Sequence, residues 1–311
     1  MRWWMKAAIQ ACLSVLPAGE AINYRLQLLN GFETDIAADV VHGVGHIRAM
    51  VNDLSRYGAD LRGRVLLEVG TGWLPTVSIG AALLGARVHT YDHMFHLREV
   101  NVRRILNLLK SQLEEIAVPP YTSEVFLASP FEALRKAAGP DVTSWLASRG
   151  VYYHAPADAA ATQLARRTVD VHFSVNVLEH VPRATVSALL REAYRVLKPG
   201  GLLRHRIDTS DHYAHGDPRI TAINFLKYSD LTWRIIGQNR IHFTNRLRKS
   251  EYLAAFEAAG LEILDCQAFV DDKSVGALSR LPLSGAYRHM DVTDLATSYF
   301  TVVARKPVGS R

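Results

Sequence analysis

One short segment, Val65 to Gly72, constrains the fold of this chain most strongly. It reads V-L-L-E-V-G-T-G, an almost continuous apolar run that ends in two glycines. Such a run is typical of a buried parallel strand that leads into a tight turn. Apolar residues then recur at helical spacing, at Val77, Ala81 and Leu84. The pattern predicts the first strand, turn and helix of a nucleotide-binding unit.

An acidic residue follows the second predicted strand, Arg87 to Tyr91. Asp92 lies 22 residues after Gly70, a spacing at which a carboxylate accepts hydrogen bonds from ribose hydroxyls. The dinucleotide pattern G-x-G-x-x-G places a glycine where this chain has Pro75. Because that pattern seats a pyrophosphate on the helix N-terminus, Pro75 favours a ribose-containing ligand without phosphates.

Two later segments extend this pattern. Val169 to Ser174 is predicted to be a strand, with Asp170 at its second position, and it leads into the sequence N-V-L-E-H-V-P at 176–182. A helical stripe follows and ends at Lys198-Pro199-Gly200-Gly201, before another strand. Together with the E-x-G-x-G form of Glu68 to Gly72, these segments resemble the class I S-adenosylmethionine-dependent methyltransferases over roughly residues 60–307.

The resemblance implies an α/β fold with a Rossmann-like, doubly wound, seven-stranded sheet that is mostly parallel and has an antiparallel last strand. We expect an N-terminal helical cap over residues 1–58 and a methyltransferase domain over 59–311. Helical insertions are expected at about 94–150 and 210–248, where they would line or cover the acceptor pocket. Within the first insertion, Pro119-Pro120 is expected to break the helical pattern and a further helix to form around 130–138.

The resemblance also implies roles for single residues. Glu68 would lie near the methionine amino group or organise the glycine turn, the alternative being a partner for the helix dipole. Asp158 would accept the adenine amino group or act as an ordinary cap. Asn176 would face the sulfonium end or cap a helix. The predicted cofactor-binding residues are Glu68, Gly70, Thr71, Gly72, Asp92, His93, Asp158, Ala159 and Asn176.

Three histidines are candidates for the chemistry: His180, His212 and His215. A histidine within hydrogen-bond reach can accept the proton of a hydroxyl acceptor. His180 could equally be structural, and the polar segment 205–217 could supply a base, hold a metal or only cap helices. Some relatives that bind a metal have an acid where this chain has Asn176, so no metal ligand is predicted.

Composition limits the partners. The net charge is +6 with a pI near 9.3, but basic residues are spread along the chain, which argues against nucleic acid. Arg246 and Arg248 could grip a carboxylate or phosphate of the acceptor, or form a solvated charge pair. The predicted N-terminal helix, which includes Trp3 and Trp4, packs on the domain or contacts a membrane surface, and is too short to span one.

The predicted function is methyl transfer from S-adenosyl-L-methionine to an oxygen or nitrogen of a small molecule, an anionic acceptor being one option. Two distant cysteines, Cys12 and Cys266, give no disulfide framework and are compatible with the cytoplasm. The alternatives are a non-catalytic binding module that keeps the fold and a nicotinamide-dependent oxidoreductase. The sequence indicates neither the acceptor nor the oligomeric state.

Overall fold

The computed structural model describes residues 1–17, 19, 22–23, 25–26, 36–116 and 142–309. The helices are α1 (Trp3–Ser14), α2 (Ile36–Ser55), α3 (Thr76–Leu83), α4 (Glu99–Ile116), α5 (Val142–Ala147), α6 (Arg183–Val196), α7 (Asp230–Ile236), α8 (Lys249–Ala258), α9 (Asp272–Leu278) and α10 (Val292–Leu295). The strands are β1 (Val65–Val69), β2 (Arg87–Tyr91), β3 (Val151–His154), β4 (Val169–Val175), β5 (Leu197–Asp208), β6 (Glu262–Val270) and β7 (Thr297–Arg305). The predicted break at Pro119-Pro120 and the predicted helix at 130–138 lie outside the described residues.

The strands form one seven-stranded sheet in the order β3-β2-β1-β4-β5-β7-β6. β1 pairs in parallel with β2 and β4, and β2 pairs in parallel with β3. The last strand runs antiparallel to β5. The Gly200 N–H, near the start of β5, donates to the Lys306 carbonyl, whereas the Thr209 N–H, directly after β5, donates to the carbonyl of the earlier residue Ser298. The predicted α/β fold, mostly parallel with an antiparallel last strand, is confirmed.

The chain divides into two compact units. The glycine-turn unit comprises Glu33–Val175, Leu189–Arg204 and Val303–Arg311. The histidine unit comprises Met1–Phe32, Asn176–Ala188 and His205–Val302. The division expected from the sequence, a cap over 1–58 and a domain over 59–311 with two insertions, stays a prediction.

In the glycine-turn unit, α2 packs against α3 and α4. Its buried face includes Ile47, Met50 and Leu54, which are almost completely excluded from solvent. Gly80 of α3 lies directly opposite Ile47, so that a Cβ at this position would lie 3.2 Å from Ile47 Cγ1 and closer still to Cδ1. The absence of a side chain at Gly80 therefore allows α2 and α3 to approach closely.

Asp170 joins the beginnings of three strands in the same unit. Its carboxylate accepts hydrogen bonds from the Val65 N–H and from Lys198 Nζ, at 2.9 and 2.8 Å, and from Arg64 at 3.3 Å. These contacts outweigh the effect of burial and lower the pKa of Asp170. The acid at the second position of β4 therefore acts in the structure of the sheet.

In the histidine unit, the N-terminal helix contributes to the core. The Trp3 ring lies 5.7 Å from the Tyr213 ring and 6.1 Å from the Trp233 ring, and the backbone N–H of Trp3 donates to the Asp217 carboxylate at 2.9 Å. Trp4, in contrast, is 58% exposed. Trp3 is therefore a packing residue. Membrane contact through this helix stays a prediction, and of the two tryptophans only Trp4 is exposed. Among the described helices, none is long and apolar enough to cross a bilayer.

The two arginines at 246 and 248 are structural. Arg248 is completely buried and donates to the backbone carbonyls of Thr209 and Thr297 at 2.6 and 2.5 Å. Arg246 is also buried and donates to the Tyr228 carbonyl at 2.8 Å and to the Asp230 carboxylate. The two interpretations of this segment, an anion grip and a solvated charge pair, are wrong, because both guanidinium groups are buried and donate their terminal N–H groups to partners within the chain.

Candidate active-site residues

The glycine turn after β1 has the predicted conformation. Gly70 and Gly72 adopt left-handed backbone angles, with φ of 75° and 64°, which residues with a side chain rarely adopt. The Gly70 N–H donates to the Tyr91 carbonyl at 2.8 Å, and the Gly72 N–H donates to Asp92 Oδ2 at 2.9 Å. The turn after β1 is thereby fixed to the end of β2.

The Asp92 carboxylate is held in its charged form. Burial by itself would raise its pKa, but hydrogen bonds from His93 and from the Gly72 and Met94 N–H groups outweigh that effect and lower the pKa. His93 is largely exposed, with Nδ1 3.1 Å from Asp92 Oδ1. A charged carboxylate at the end of β2 is a strong acceptor for hydroxyl donors such as those of a ribose.

Glu68 organises the turn from within the core. It is 5% exposed, and its Oε2 accepts hydrogen bonds from the Ser78 hydroxyl at 2.5 Å and from the Thr90 hydroxyl at 2.8 Å. The Thr90 hydroxyl in turn contacts that of Thr71. Burial raises the pKa of Glu68 to about 7, and the charge on Asp92 adds to that increase. Of the roles expected for Glu68, these contacts support the one in which it organises the glycine turn.

The loop after β3 brings Asp158 and Ala159 to the same part of the glycine-turn unit. The Ala157 N–H donates to the Asp92 carbonyl at 2.8 Å. Ala159 is buried, whereas Asp158 is exposed and its Oδ1 accepts the Ala160 N–H at 2.8 Å. This hydrogen bond is the ordinary capping contact that the sequence offered as one of two roles for Asp158. The other role, contact with the adenine amino group, stays a prediction.

A cavity of about 490 Å³ lies in the glycine-turn unit, lined in part by Val65, Arg87 and Lys198. These residues stand at the amino ends of β1, β2 and β5. Ligands of parallel α/β sheets bind outside the carboxyl ends of the strands, where the glycine turn lies. The cavity is therefore separate from the predicted cofactor residues.

Asn176 is the one predicted cofactor residue that falls in the histidine unit. It is exposed and has a left-handed backbone, with φ of 53°, and its N–H donates to the Arg206 carbonyl at 2.9 Å. The short helical turn Leu178–His180 follows it, with Val177 at the cap position and no side-chain capping bond. The alternative that Asn176 caps a helix is therefore wrong.

Asn245 fixes the turn that carries Glu179 and His180. Its Nδ2 donates to the Leu178 and Val181 carbonyls at 2.7 and 2.9 Å, and its N–H donates to the Glu179 carbonyl at 2.8 Å. His180 Nδ1 lies 2.9 Å from the Phe243 carbonyl, which can only accept, so Nδ1 carries the proton. The position and the tautomer of His180 are thus set by neighbouring backbone.

The three predicted histidines lie together in the histidine unit. The His212 ring is 4.9 Å from the His180 ring and 5.2 Å from the His215 ring, between ring centres. A fourth, His242, lies 6.2 Å from His212 and was missed, because nothing in its local sequence marks it. His180 and His215 are exposed, so the cluster is open to solvent.

Burial and mutual repulsion keep the inner histidines neutral. Burial lowers the pKa of His212 to about 4, and the neighbouring histidines and Lys6 act in the same direction, while Asp208 opposes them. Burial likewise lowers the pKa of His242 to about 3. A neutral imidazole can accept a proton or bind a metal ion, which a protonated one cannot do.

The comparisons with known proteins agree with this description. Residues 127–204 match the family model described as a methyltransferase domain, a segment that contains β3, β4 and α6 but not the glycine turn. The match confirms the resemblance to class I S-adenosylmethionine-dependent methyltransferases. Together with the glycine turn and Asp92, it supports S-adenosylmethionine as the cofactor. No curated protein matches the sequence significantly.

Solved structures that match the chain include an S-adenosylmethionine-dependent methyltransferase from Mesorhizobium loti, at 17% identity and a TM-score of 0.43, with 84% of this chain and 96% of that chain covered. Another is phosphoethanolamine N-methyltransferase 2 from Haemonchus contortus, at 15% identity and a TM-score of 0.43, with 84% of this chain and 52% of that chain covered. The [4+2]-cyclase SpnF matches at 18% identity and a TM-score of 0.45, with 84% and 81% covered. Likenesses at this level carry no conclusion about the reaction or the substrate.

Proposed function

We propose that this protein transfers a methyl group from S-adenosylmethionine to an oxygen or nitrogen of a small-molecule acceptor. The observation that carries the proposal is the glycine turn fixed to the charged Asp92 at the end of β2. In the transfer, the bond between the methyl carbon and sulfur breaks as the bond to the acceptor forms. The sulfonium keeps the electron pair and becomes the thioether of S-adenosylhomocysteine, and the acceptor loses a proton.

The helix after the turn argues against a dinucleotide cofactor. Pro75 occupies the cap position of α3, and no side chain caps that end. Since proline lacks an N–H group, this end offers one donor fewer to a pyrophosphate. S-adenosylmethionine has no phosphate and does not need such a donor.

The proton acceptor is proposed from among the three predicted histidines, His180, His212 and His215. Positioning of the nucleophile in line with the methyl carbon and sulfur would supply most of the rate. An acceptor without a negative charge suits the protein better, because the arginines expected to bind an anion are occupied internally. A cytoplasmic location is part of the proposal, and both cysteines are free thiols.

Calorimetry with S-adenosylhomocysteine, and in parallel with NADH, tests the cofactor. Binding of S-adenosylhomocysteine without binding of NADH is expected. Binding of NADH without S-adenosylhomocysteine would contradict the proposal and favour a nicotinamide-dependent oxidoreductase. Mass spectrometry of S-adenosylhomocysteine release, with a panel of hydroxyl and amine acceptors, then tests catalysis. Tight cofactor binding without turnover on any acceptor would favour the non-catalytic module.

His215 provides the most direct test of base catalysis. If it is the base, His215→Ala should lower the maximal rate roughly 100-fold or more without changing cofactor affinity. If it only shapes the acceptor site, the Michaelis constant for the acceptor should rise and the maximal rate should stay nearly intact.

A further inference from the structure

A buried carboxyl group in the histidine unit has no hydrogen-bond partner within the described part of the chain. Glu179 is 2% exposed, and neither of its side-chain oxygens accepts a hydrogen bond there. Burial raises the pKa of Glu179 well above its usual range, and the N–H groups of Glu179 and Asp208 and the charge on Arg206 oppose this only in part. A buried carboxylate without a partner is costly, so that native proteins pair it or use it to coordinate a metal.

Two histidines stand beside this carboxylate. One ligand atom each from Glu179, His180 and His212 can be chosen so that all three lie within 4.8 Å of one another. Donors bound to one transition-metal ion at about 2.0 to 2.2 Å lie about 3 to 4 Å apart. A small contraction of these side chains therefore brings the three atoms into one coordination sphere.

Hydrogen bonding leaves one ring nitrogen of each histidine available as a ligand. His180 donates from Nδ1 to the Phe243 carbonyl, which leaves Nε2 with a free electron pair. His212 Nε2 makes no hydrogen bond among the described residues and lies 3.6 Å from Asp208 Oδ2. A backbone carbonyl that accepts from the other ring nitrogen, as Phe243 does for His180, is typical around metal-bound histidines.

We propose that Glu179, His180 and His212 bind a divalent transition-metal ion. Two imidazole nitrogens and one carboxylate suit zinc, cobalt or iron, whereas magnesium and calcium prefer oxygen ligands throughout. The metal charge would compensate the buried carboxylate, and the exposed His180 gives the ion a path from solvent. Lys6, which lies close enough to repel a charge on His212, opposes binding, and Asp208 offsets it.

The proposal concerns ion binding alone and does not depend on the proposed methyl transfer. It does narrow the candidates for the proton acceptor. His180 and His212 would be occupied as ligands, which leaves His215 as the free histidine of the three predicted from the sequence.

A cobalt(II) titration of the full-length protein without a histidine tag tests the proposal, because cobalt bound to nitrogen and oxygen ligands absorbs visible light. One equivalent is expected to bind to the wild type, and added zinc should displace it whereas magnesium should not. Glu179→Gln, His180→Asn and His212→Asn should each weaken cobalt binding by at least about 100-fold. Loss of a residue that only orients a metal ligand weakens binding by at most about that factor.

Two matched controls distinguish this site from casual histidine binding. His215→Asn changes the ring stacked on His212, and His289→Asn changes an exposed histidine elsewhere in the same unit. Both should leave the cobalt affinity unchanged. Loss of binding in His289→Asn but not in the three ligand variants would overturn the proposal, as would a wild type that binds cobalt no better than those variants. Displacement by magnesium would overturn the choice of a transition metal.

Thermal unfolding distinguishes a variant that has lost the metal site from a variant that does not fold. Because Glu179→Gln replaces a buried carboxyl group that has no hydrogen-bond partner among the described residues with an uncharged group of similar shape, its melting temperature without metal should not fall below that of the wild type. Zinc should raise the melting temperature of the wild type, since an ion that binds only the folded state stabilises it. Equal stabilisation of Glu179→Gln by zinc would contradict the site.

Discussion

The Asp92 carboxylate accepts a hydrogen bond from the Gly72 N–H, with 2.9 Å between the nitrogen and Oδ2. The residue expected to hold the ribose thus also fixes the turn that the ribose would lie beside. Loss of this side chain would remove a ligand contact and loosen the backbone around it. The two effects can be separated by comparing substitutions of different size.

Asp92→Ala is expected to weaken S-adenosylhomocysteine binding by on the order of 100-fold or more. Two charge-assisted hydrogen bonds would be lost, each worth roughly 1.5 to 3 kcal/mol. Asp92→Asn should fall between Ala and the wild type, because an amide oxygen can still accept the Gly72 N–H. Calorimetry measures both, with the exposed Asp60→Ala as a control of unchanged affinity. Wild-type affinity in Asp92→Ala would remove Asp92 from the cofactor site.

The raised pKa of Glu68 predicts how the stability of the protein depends on pH. Burial raises this pKa from an unfolded value near 4.5 to about 7, so the folded protein binds a proton more tightly than the unfolded chain does. The free energy of unfolding should therefore decrease as the pH rises from about 4.5 to 7 and level off above that range. The total loss should be a few kcal/mol, since one pKa unit corresponds to about 1.4 kcal/mol.

Urea unfolding at several pH values measures this effect. Glu68→Gln cannot ionise and should show a smaller decrease between about pH 4.5 and 7, because Asp211, whose pKa burial raises to about 6, still contributes, whereas Glu257→Gln, at an exposed position of α8, should retain the wild-type decrease. The same pH dependence in wild type and Glu68→Gln would show that another group causes it.

Asn245→Asp is expected to destabilise the histidine unit. The substitution has nearly the same shape but replaces Nδ2, which donates to the Leu178 and Val181 carbonyls, with an acceptor. Each carbonyl left without its donor costs about 1 to 3 kcal/mol. Asn239→Asp is the matched control, because Asn239 uses its Oδ1 to accept the Ile241 and His242 N–H groups and Asp retains that oxygen. Equal melting temperatures for the two variants would contradict the role of Asn245.

Local features of the sequence predicted the sheet and the glycine turn. Gly70, Gly72 and Asp92 could be assigned because a strand, a tight turn and a fixed spacing are written within thirty residues of sequence. The histidines followed from their unusual local density. The same reasoning failed for Arg248, whose partners at Thr209 and Thr297 lie about forty to fifty residues away in the chain.

Burial was the property that local sequence could not supply. Glu179 and His180 are adjacent in the sequence, yet Glu179 is a buried carboxyl group without a hydrogen-bond partner among the described residues, and His180 is exposed to solvent. Trp3 likewise looked equally suited to a membrane surface and to a core. Its contacts with Tyr213 and Trp233 decide the matter, and they depend on packing between segments more than 200 residues apart.

The contact between α2 and α3 gives the last prediction. Gly80→Ala would place a methyl group against Ile47, and overpacking of this kind typically costs about 1 to 3 kcal/mol. Ile47→Val removes the Cδ1 atom that the new methyl would strike, so the double variant should be more stable than the sum of the single changes implies.

Gly45 provides the matched control in α2, since it is exposed and nothing lies within 4 Å of a Cβ built there. Gly45→Ala should stabilise the protein by roughly 0.5 to 1 kcal/mol, because alanine loses less backbone freedom in a helix. Urea unfolding of the four variants measures both effects. If Gly80→Ala stabilised the protein as Gly45→Ala does, α2 and α3 could not be as close as the structure shows.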